Sequence, residues 1–492
     1  MDRTAPAPQG TPEGDSPTDT GAGPDARPPR STHGGPPLIA AKAFVQTVRH
    51  FFPDLNDWFQ AIPDARNQEL ITYQTRFIVW WGILLYVLQL GSRRQLDFAL
   101  DKYGPGLLDN LNRLAGTSQK TRPVHDTLDY FLTPSQEIAF HNLRHRMAHR
   151  LIRMKALDAA RLLGRYVLIL DATGLFTFRE RHCDTCLERK NKNGTTLFMH
   201  QVLEAKLLGP AGVVLSVGSE FIENSDAAAC QSADPEKIKQ DCELKAFARL
   251  APRIKRDFPQ LRIVVAGDAL YACGTFFQIV KDNDWSFVVT FKEGRLPTAW
   301  DEFQRLLPLC PENTRNWSLP DRTRQQFRWV NEIGHIDDHK RTWSLNALQC
   351  EETSPEGEIH RFVWLTQLPV KASNVQEIAQ KGGRARWTIE NEGFNRQKNS
   401  GLNLEHPYSS GPEKWKVYYL LLQIAFIITQ LLERGSLLRQ LAAELDRTPM
   451  QLFGSLANIA ERLRDALKYF KWPDDCFDET AAQARRIRLD SS

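Results

Sequence analysis

The chain has 492 residues, 42% of them hydrophobic and 25% charged, which is enough for a globular core and more than one ordinary domain. A net charge of +4 is too small to imply a polyanionic partner by itself, and eight cysteines in so long a chain do not make a secreted disulfide framework. No secretory signal is expected, because residues 1–38 are polar and rich in Pro and Gly, with no apolar h-region. A reducing, cytoplasmic setting follows as the expectation.

Residues 1–38 carry almost no large apolar side chains and read as a disordered leader. Residues 39–164 read as a helical domain. The run 77–88 holds no charge but falls well short of the ~20 residues a membrane span needs. The run 417–432 is interrupted by Gln423, Thr429 and Gln430. Both read as buried core helices, not as membrane spans. Three short helices follow the first run, over 92–102, 106–114 and 123–131. Ser92 is placed as an N-cap and Pro123 in the first turn of the third. With Arg93, Arg94, Arg113, Lys120 and Arg122 around them they resemble a helix-turn-helix unit, which makes this a DNA-contact candidate. Residues 141–165 predict one basic amphipathic helix carrying Arg144, Arg146, Arg150, Arg153, Lys155, Arg161 and Arg165, read either as a solvated face or as a phosphate-tracking surface.

Residues 165–294 predict an α/β core. Strands are expected over 166–178, 196–208 and 213–222, with a hairpin turn at Gly209-Pro210-Ala211-Gly212. A helix over 235–258, a strand over 261–266, a helix over 273–282 and a strand over 285–291 complete the order. This is the order of an RNase H-like mixed sheet flanked by helices, in which the first and fourth strands are neighbours. Residues 295–371 read as a β-rich insertion with strands over 325–333, 341–348 and 361–365. Residues 372–437 return to helix over 375–381, 386–398 and 413–434 and complete the core. Residues 438–492 read as amphipathic helices and a basic tail.

Asp171 ends the first strand's apolar run, Asp268 ends the run 261–267, and Glu390 lies on a packed helix. Two carboxylates at buried strand ends and a third on a facing helix suit a pair of hard cations, Mg²⁺ or Mn²⁺, and hence metal-assisted phosphoryl transfer. A single Asp at a strand end is more simply a turn cap, but two at matching ends favour the catalytic assignment. Glu220, Glu223, Asp226, Asp241 and Glu243 are either further members or caps and surface charges. Glu392 and Glu405 rival Glu390, although position 392 points about 200° away from 390 on an α-helix. On the same helix Arg386, Arg396, Lys398 and Asn395 suit a DNA backbone. Trp387 and Phe394, seven residues apart, are expected to anchor the opposite face.

Cys183 and Cys186 form a C-x-x-C preceded by His182, with His200, Cys230 and Cys242 further on. No second pair follows, so free thiols in a loop are favoured over a structural Zn²⁺.

The segments Leu168-Ile169-Leu170-Asp171-Ala172-Thr173-Gly174, Gly267-Asp268-Ala269-Leu270-Tyr271 and Arg386-Trp387-Thr388-Ile389-Glu390 resemble the DDE transposases of bacterial insertion sequences, in the IS-four-like group. Residues 239–247 and Asn395-Arg396-Gln397-Lys398-Asn399 share the likeness, which spans roughly residues 40–435. The group's helix signature is Tyr, two residues, Arg, three residues, Glu, six residues, Lys. Arg386 and Glu390 fit it, whereas Gly383 stands at the Tyr position and Gln397 at the Lys position, with Lys398 one step on. The resemblance implies Asp171, Asp268 and Glu390 as catalytic metal ligands for two Mg²⁺ or Mn²⁺ ions. It also implies cleavage and strand transfer at terminal inverted repeats, by a homodimer on DNA at the nucleoid. A domesticated, catalytically silent DNA-binding protein and a stand-alone nuclease are the alternatives.

Overall fold

Among the described residues, one mixed sheet of ten strands organises the fold. The computed structural model describes residues 35–100, 106–181, 183–224, 241–409, 411, 413–455 and 457–489. The expected leader, apart from its last four residues, lies outside them, as do His182, Asp226, Cys230 and the start of the helix expected over 235–258. The strands are β1 (Tyr166–Phe178), β2 (Leu187–Lys190), β3 (Thr196–Leu208), β4 (Val214–Ile222), β5 (Ile263–Gly267), β6 (Ser286–Thr290), β7 (Thr314–Ser318), β8 (Arg324–Ile336), β9 (Thr342–Thr353) and β10 (Ile359–Thr366). Their order across the sheet is β2-β3-β1-β5-β6-β10-β9-β8-β7, with β4 also on β3.

β1, β5 and β6 run parallel at the centre. The first five residues of β1 and all of β5 are buried, the continuous apolar pattern of strands covered on both faces. The last β1–β5 pair is Ile169 with Ala266. Two residues on, the same spacing brings Asp171 beside Asp268 at the carboxyl end of the pair, although the two are far apart in sequence. β3 and β4 form the expected hairpin, turning at Pro210–Gly212 with positive φ at Ala211 and Gly212.

The sequence reading sets residues 295–371 apart as an insertion. In the structure β7–β10 extend the same sheet, because β10 pairs antiparallel with β6, Trp364 opposite Thr290. The short strands β2 and β7 escape the sequence reading. Each is four or five residues of mostly exposed, polar chain with no apolar alternation to announce it.

The helix Glu243–Asp257 packs on β4, where a Cβ on Gly218 would lie 2.9 Å from Leu250 Cδ1. The absence of a side chain at Gly218 therefore sets how closely this helix approaches the sheet. The helix Lys414–Arg434 is buried throughout its middle, and its polar residues are hydrogen-bonded there. Gln430 accepts from Val214 N at 2.8 Å and donates to Val214 O at 3.1 Å. This helix is long and apolar enough to cross a membrane, but its apolar window is wholly buried inside the fold.

About half of the expected helix over 141–165 is realised. The observed helix is Glu137–Arg153, and positive φ at Lys155 and Leu163 breaks the remainder into turns leading to β1. Arg144, expected on a solvated or phosphate-tracking face, is fully buried. It donates to Ser216 Oγ at 3.0 Å and lies 3.9 Å from the buried Glu204. Glu204 also accepts from Ser216 Oγ at 2.7 Å, from Tyr419 OH at 2.8 Å and from Ser219 Oγ. This network ties the Glu137–Arg153 helix, β3, β4 and the long buried helix together.

Ser92 and Pro123 take no part in the expected caps, since the helices begin at Gln95 and His125. Three of the five cations assigned there are paired within the chain: Arg93 with Asp126 and Asp129, Arg113 with Asp474, and Arg122 with Asp97. Asn110 bonds to Leu467 O and Trp472 N, so this helix region is packed against the C-terminal helices.

Replacing Arg144 with Met would leave Glu204 buried and charged without its cation. The Arg144→Met protein should lose about 3–5 kcal/mol of stability in urea denaturation, and replacing Glu204 with Leu as well should recover part of it. A loss below about 1 kcal/mol would show that the pair does not carry this junction.

Candidate active site

Asp171 and Asp268 are held by the sheet. Asp171 lies on β1 opposite Glu204 of β3. Asp268 follows β5 directly and caps the short turn Ala269–Tyr271, its Oδ1 accepting from Leu270 N at 2.8 Å. The turn is tight because Tyr271 folds back over Gly267, where a Cβ would sit 2.6 Å from the ring. That accounts for Gly267 before the Asp and the Tyr three residues after it. Tyr271 is buried, and its hydroxyl donates to Glu243 Oε2 at 3.4 Å. Glu243 opens the helix that packs on β4, so Tyr271 links the β5 turn to that helix.

Glu390 comes from the helical run 375–399. Arg386 spans the gap: its Nη1 is 3.5 Å from Asp171 Oδ2 and its Nη2 is 3.6 Å from Glu390 Oε2. Its guanidinium also stacks 4.3 Å over the Trp387 ring. Glu390 is 49% exposed against 22% for Asp171, so the cluster is closed towards the sheet and open on the helix side.

Asp171 is the carboxylate that links the others: it feels the charges of Glu390 and Asp268, and Glu243 feels its charge and that of Asp268. Burial pushes Asp171 up to about 6, with Arg386 opposing the rise and Glu390 and Asp268 adding to it. Burial also pushes Glu243 up to about 7, with Asp171 and then Asp268 as the neighbouring charges responsible. Burial, Glu243, Asp171 and Asp268 together hold the Tyr271 phenol well above its ordinary range. Partly desolvated surroundings and neighbouring like charges thus disfavour the ionised forms of Asp171 and Glu243.

The structure thus brings Asp171, Asp268 and Glu390 together and adds Glu243, which the sequence leaves undecided between site and cap. The rivals are elsewhere. Glu392 pairs with Arg434 at 2.6 Å, and Glu405 pairs with Lys398 at 2.8 Å. Glu220 and Asp241 pair with Arg249, and Glu223 pairs with Lys416 at 2.7 Å. Of the residues assigned to DNA, Arg386 lies in the cluster. Arg396 pairs with Glu433 and Glu392, and Asn395 Oδ1 accepts from Asn399 at 2.6 Å.

Trp387 does not anchor the helix; it is 50% exposed, while Phe394 is buried. The reason is a wide turn. Residues Ile389–Asn395 form π-helix, as do Ile378–Arg384. An i→i+5 turn takes more residues than an α-turn, so positions seven apart no longer share a face. Lys206, buried on β3, helps seat this helix, with its ammonium 5.1 Å from the Phe394 ring centroid and 3.4 Å from Gln397 Oε1. Burial lowers it to about 8.

Among the described residues, the one group of three His, Cys, Asp or Glu side chains with ligand atoms within 4.8 Å of one another is Cys183, Cys186 and His200. The four carboxylates are more widely spaced, with Arg386 between two of them. No protein-family model matches this chain, and no curated protein matches it either.

The raised carboxylates make stability fall with pH. The fold keeps protons on Asp171 and Glu243 where the unfolded chain has released them, so stability declines from their ordinary values of 3.8 and 4.5 up to about 6 and about 7, then levels. Without divalent ions, Asp171→Asn should stabilise the protein at pH 8 by about 1–3 kcal/mol, with the gain vanishing near pH 4. Glu243→Gln should behave alike. Urea midpoints at the two pH values check this; equal shifts at both would contradict it.

Proposed function

We propose that this chain is a DDE transposase, a DNA nuclease and strand transferase with an RNase H-like core acting at terminal inverted repeats. The observation that carries the reading is the meeting of Asp171, Asp268, Glu243 and Glu390 where the β1–β5 pairing ends and two helices face it, with Glu390 and Asp268 disfavouring the charge of Asp171, and Asp171 and Asp268 that of Glu243. Such a cluster on rigid strands favours a multivalent cation. The sheet order β4-β3-β1-β5-β6, with the last three parallel, supports the same reading.

Asp171, Asp268 and Glu390 would hold Mg²⁺ or Mn²⁺, with Glu243 beside them. When bound, two such ions activate the attacking water or 3′-hydroxyl and stabilise the leaving oxygen. The chain's own residues supply position and charge balance. β1 and β5 fix the two aspartates. Tyr271 holds Glu243 in place through its hydroxyl. Arg386 offsets the charge of Asp171 and Glu390 and, with its stacked Trp387, offers a cation and an exposed ring at the open side, where a nucleotide can stack. Arg396, Lys398 and Asn395 lie further along the helix, and we assign them the flanking DNA backbone, not the reacting phosphate.

The test is a cleavage and strand-transfer assay with purified protein, DNA carrying the inverted repeats that flank its coding region, and Mg²⁺ or Mn²⁺. Asp171→Ala, Asp268→Ala and Glu390→Ala should each lower metal-dependent nicking by more than roughly 100-fold, and Glu243→Gln by about 10–100-fold, since even residues behind the ligands cost that much. Wild-type-like strand transfer by any of the three alanine proteins would defeat the assignment. Tight binding to the repeat ends with no nicking would favour the catalytically silent DNA-binding protein instead.

A further inference from the structure

The C-x-x-C that the sequence assigns to free thiols has a third partner. Cys183 Sγ and Cys186 Sγ are 3.3 Å apart, and His200 Nε2 lies 3.4 Å from the first and 3.5 Å from the second. The sulfurs are too far apart for a disulfide, which needs about 2.05 Å. With Zn–S near ~2.3 Å and Zn–N near ~2.0 Å, tetrahedral ligands lie about 3.8 Å (S···S) and about 3.5 Å (S···N) apart. Both sulfur–nitrogen distances meet that value, and the sulfurs need to part by about half an ångström.

The three donors come from a built site. Cys186 and His200 are fully buried. His200 stands on β3 opposite Phe176 of β1, its ring 5.6 Å from Phe176 and 4.7 Å from Trp415. The imidazole is therefore held by strand and aromatic packing, and the two cysteines are brought to it by the loop between β1 and β2. Two thiolates and an imidazole form a soft nitrogen–sulfur set that selects zinc over the hard cations suited to carboxylates. A thioredoxin-like redox role does not fit, because the pair opens no helix after a strand.

We infer that Cys183, Cys186 and His200 bind one Zn²⁺, its fourth position left to water, and that the ion fastens the β1–β2 loop to β3. The loop in turn grips the end of β4. Asn224 N donates to Thr185 O at 3.1 Å, and Asn224 Nδ2 donates to Cys186 O at 3.1 Å. Asn224 Oδ1 then accepts from Asp241 N at 3.2 Å, and Glu223 N donates to Asp241 Oδ2 at 3.2 Å. Asp241 is two residues before Glu243. The ion thus sits at the head of a hydrogen-bonded path to the start of the helix that brings Glu243 to the carboxylates. The zinc assignment rests on the three donors alone and is independent of any activity at the acidic cluster.

The full chain, purified without added metal and dialysed against a weak chelator, should retain about one zinc per chain. Exchange for Co²⁺ should give the visible bands of a tetrahedral ion and the near-ultraviolet bands of cobalt–thiolate bonds. Cys183→Ser/Cys186→Ser should lose both. Less than about half an equivalent of zinc with no cobalt–thiolate bands overturns the site. Zinc retained by the double variant also overturns it, because the ligands would then lie elsewhere. If the variant fails to fold, the wild-type metal content and cobalt spectrum still decide. Stripping the zinc should speed hydrogen exchange at residues 183–187, 222–224 and 241–247 by roughly tenfold or more. A response confined to 183–187 overturns the connection to Glu243.

Discussion

Four carboxylates gather at one end of the β1–β5 pairing, and the burial of carboxylate charge there is the constraint on which the rest of the structure depends. Burial and neighbouring like charges both disfavour the ionised form of a carboxylate. Here burial and the neighbours lift Asp171 to about 6 and Glu243 to about 7. A protein selected for stability alone would place an amide or a hydrophobic residue at one of these positions. Keeping all four is a standing cost, offset by surroundings that do not let the side chains turn away.

Those surroundings are visible residue by residue. The aspartates are held by parallel strands whose leading residues are entirely buried. Gly267 and Gly218 allow two close approaches, Tyr271 over the β5 turn and the Glu243 helix onto β4. On β3, next to β1, the Glu204–Arg144 network and Lys206 fix the helices that cover the sheet. Arg386 meets two of the acids from the fourth direction and carries an exposed tryptophan with it. The carboxylates are thus pre-positioned, which is what a site for hard cations requires.

Much of this was legible in the chain because buried parallel strands and amphipathic helices leave strong periodic signals. The expected limits of β1 and β3 match the observed strands, and Asp171 and Asp268 stand where two fully buried apolar runs stop, although β1 itself continues to Phe178. The rest was hidden for specific reasons. Glu243 looks like an ordinary first-turn helix acid, and its role depends on how closely Gly218 lets that helix approach. Trp387 faces solvent because π-turns break the seven-residue register, which sequence spacing does not reveal. Arg144 reads as one more charge on a basic helix until Glu204, from a strand interior, is set against it. His200 joins the C-x-x-C through β1–β3 pairing, not through any short-range spacing. The β8–β10 strands were recognisable as strands, but nothing in their composition shows that β10 continues the central sheet.

The most direct test of the central claim is a Mn²⁺ titration followed by electron paramagnetic resonance, on the intact protein and on Asp171→Asn and Asp268→Asn. If the carboxylates form a two-ion site, the wild type takes up Mn²⁺ at two positions, with spin coupling between the ions, and each variant loses at least one. Absence of bound Mn²⁺, or uptake unchanged in both variants, would contradict the account.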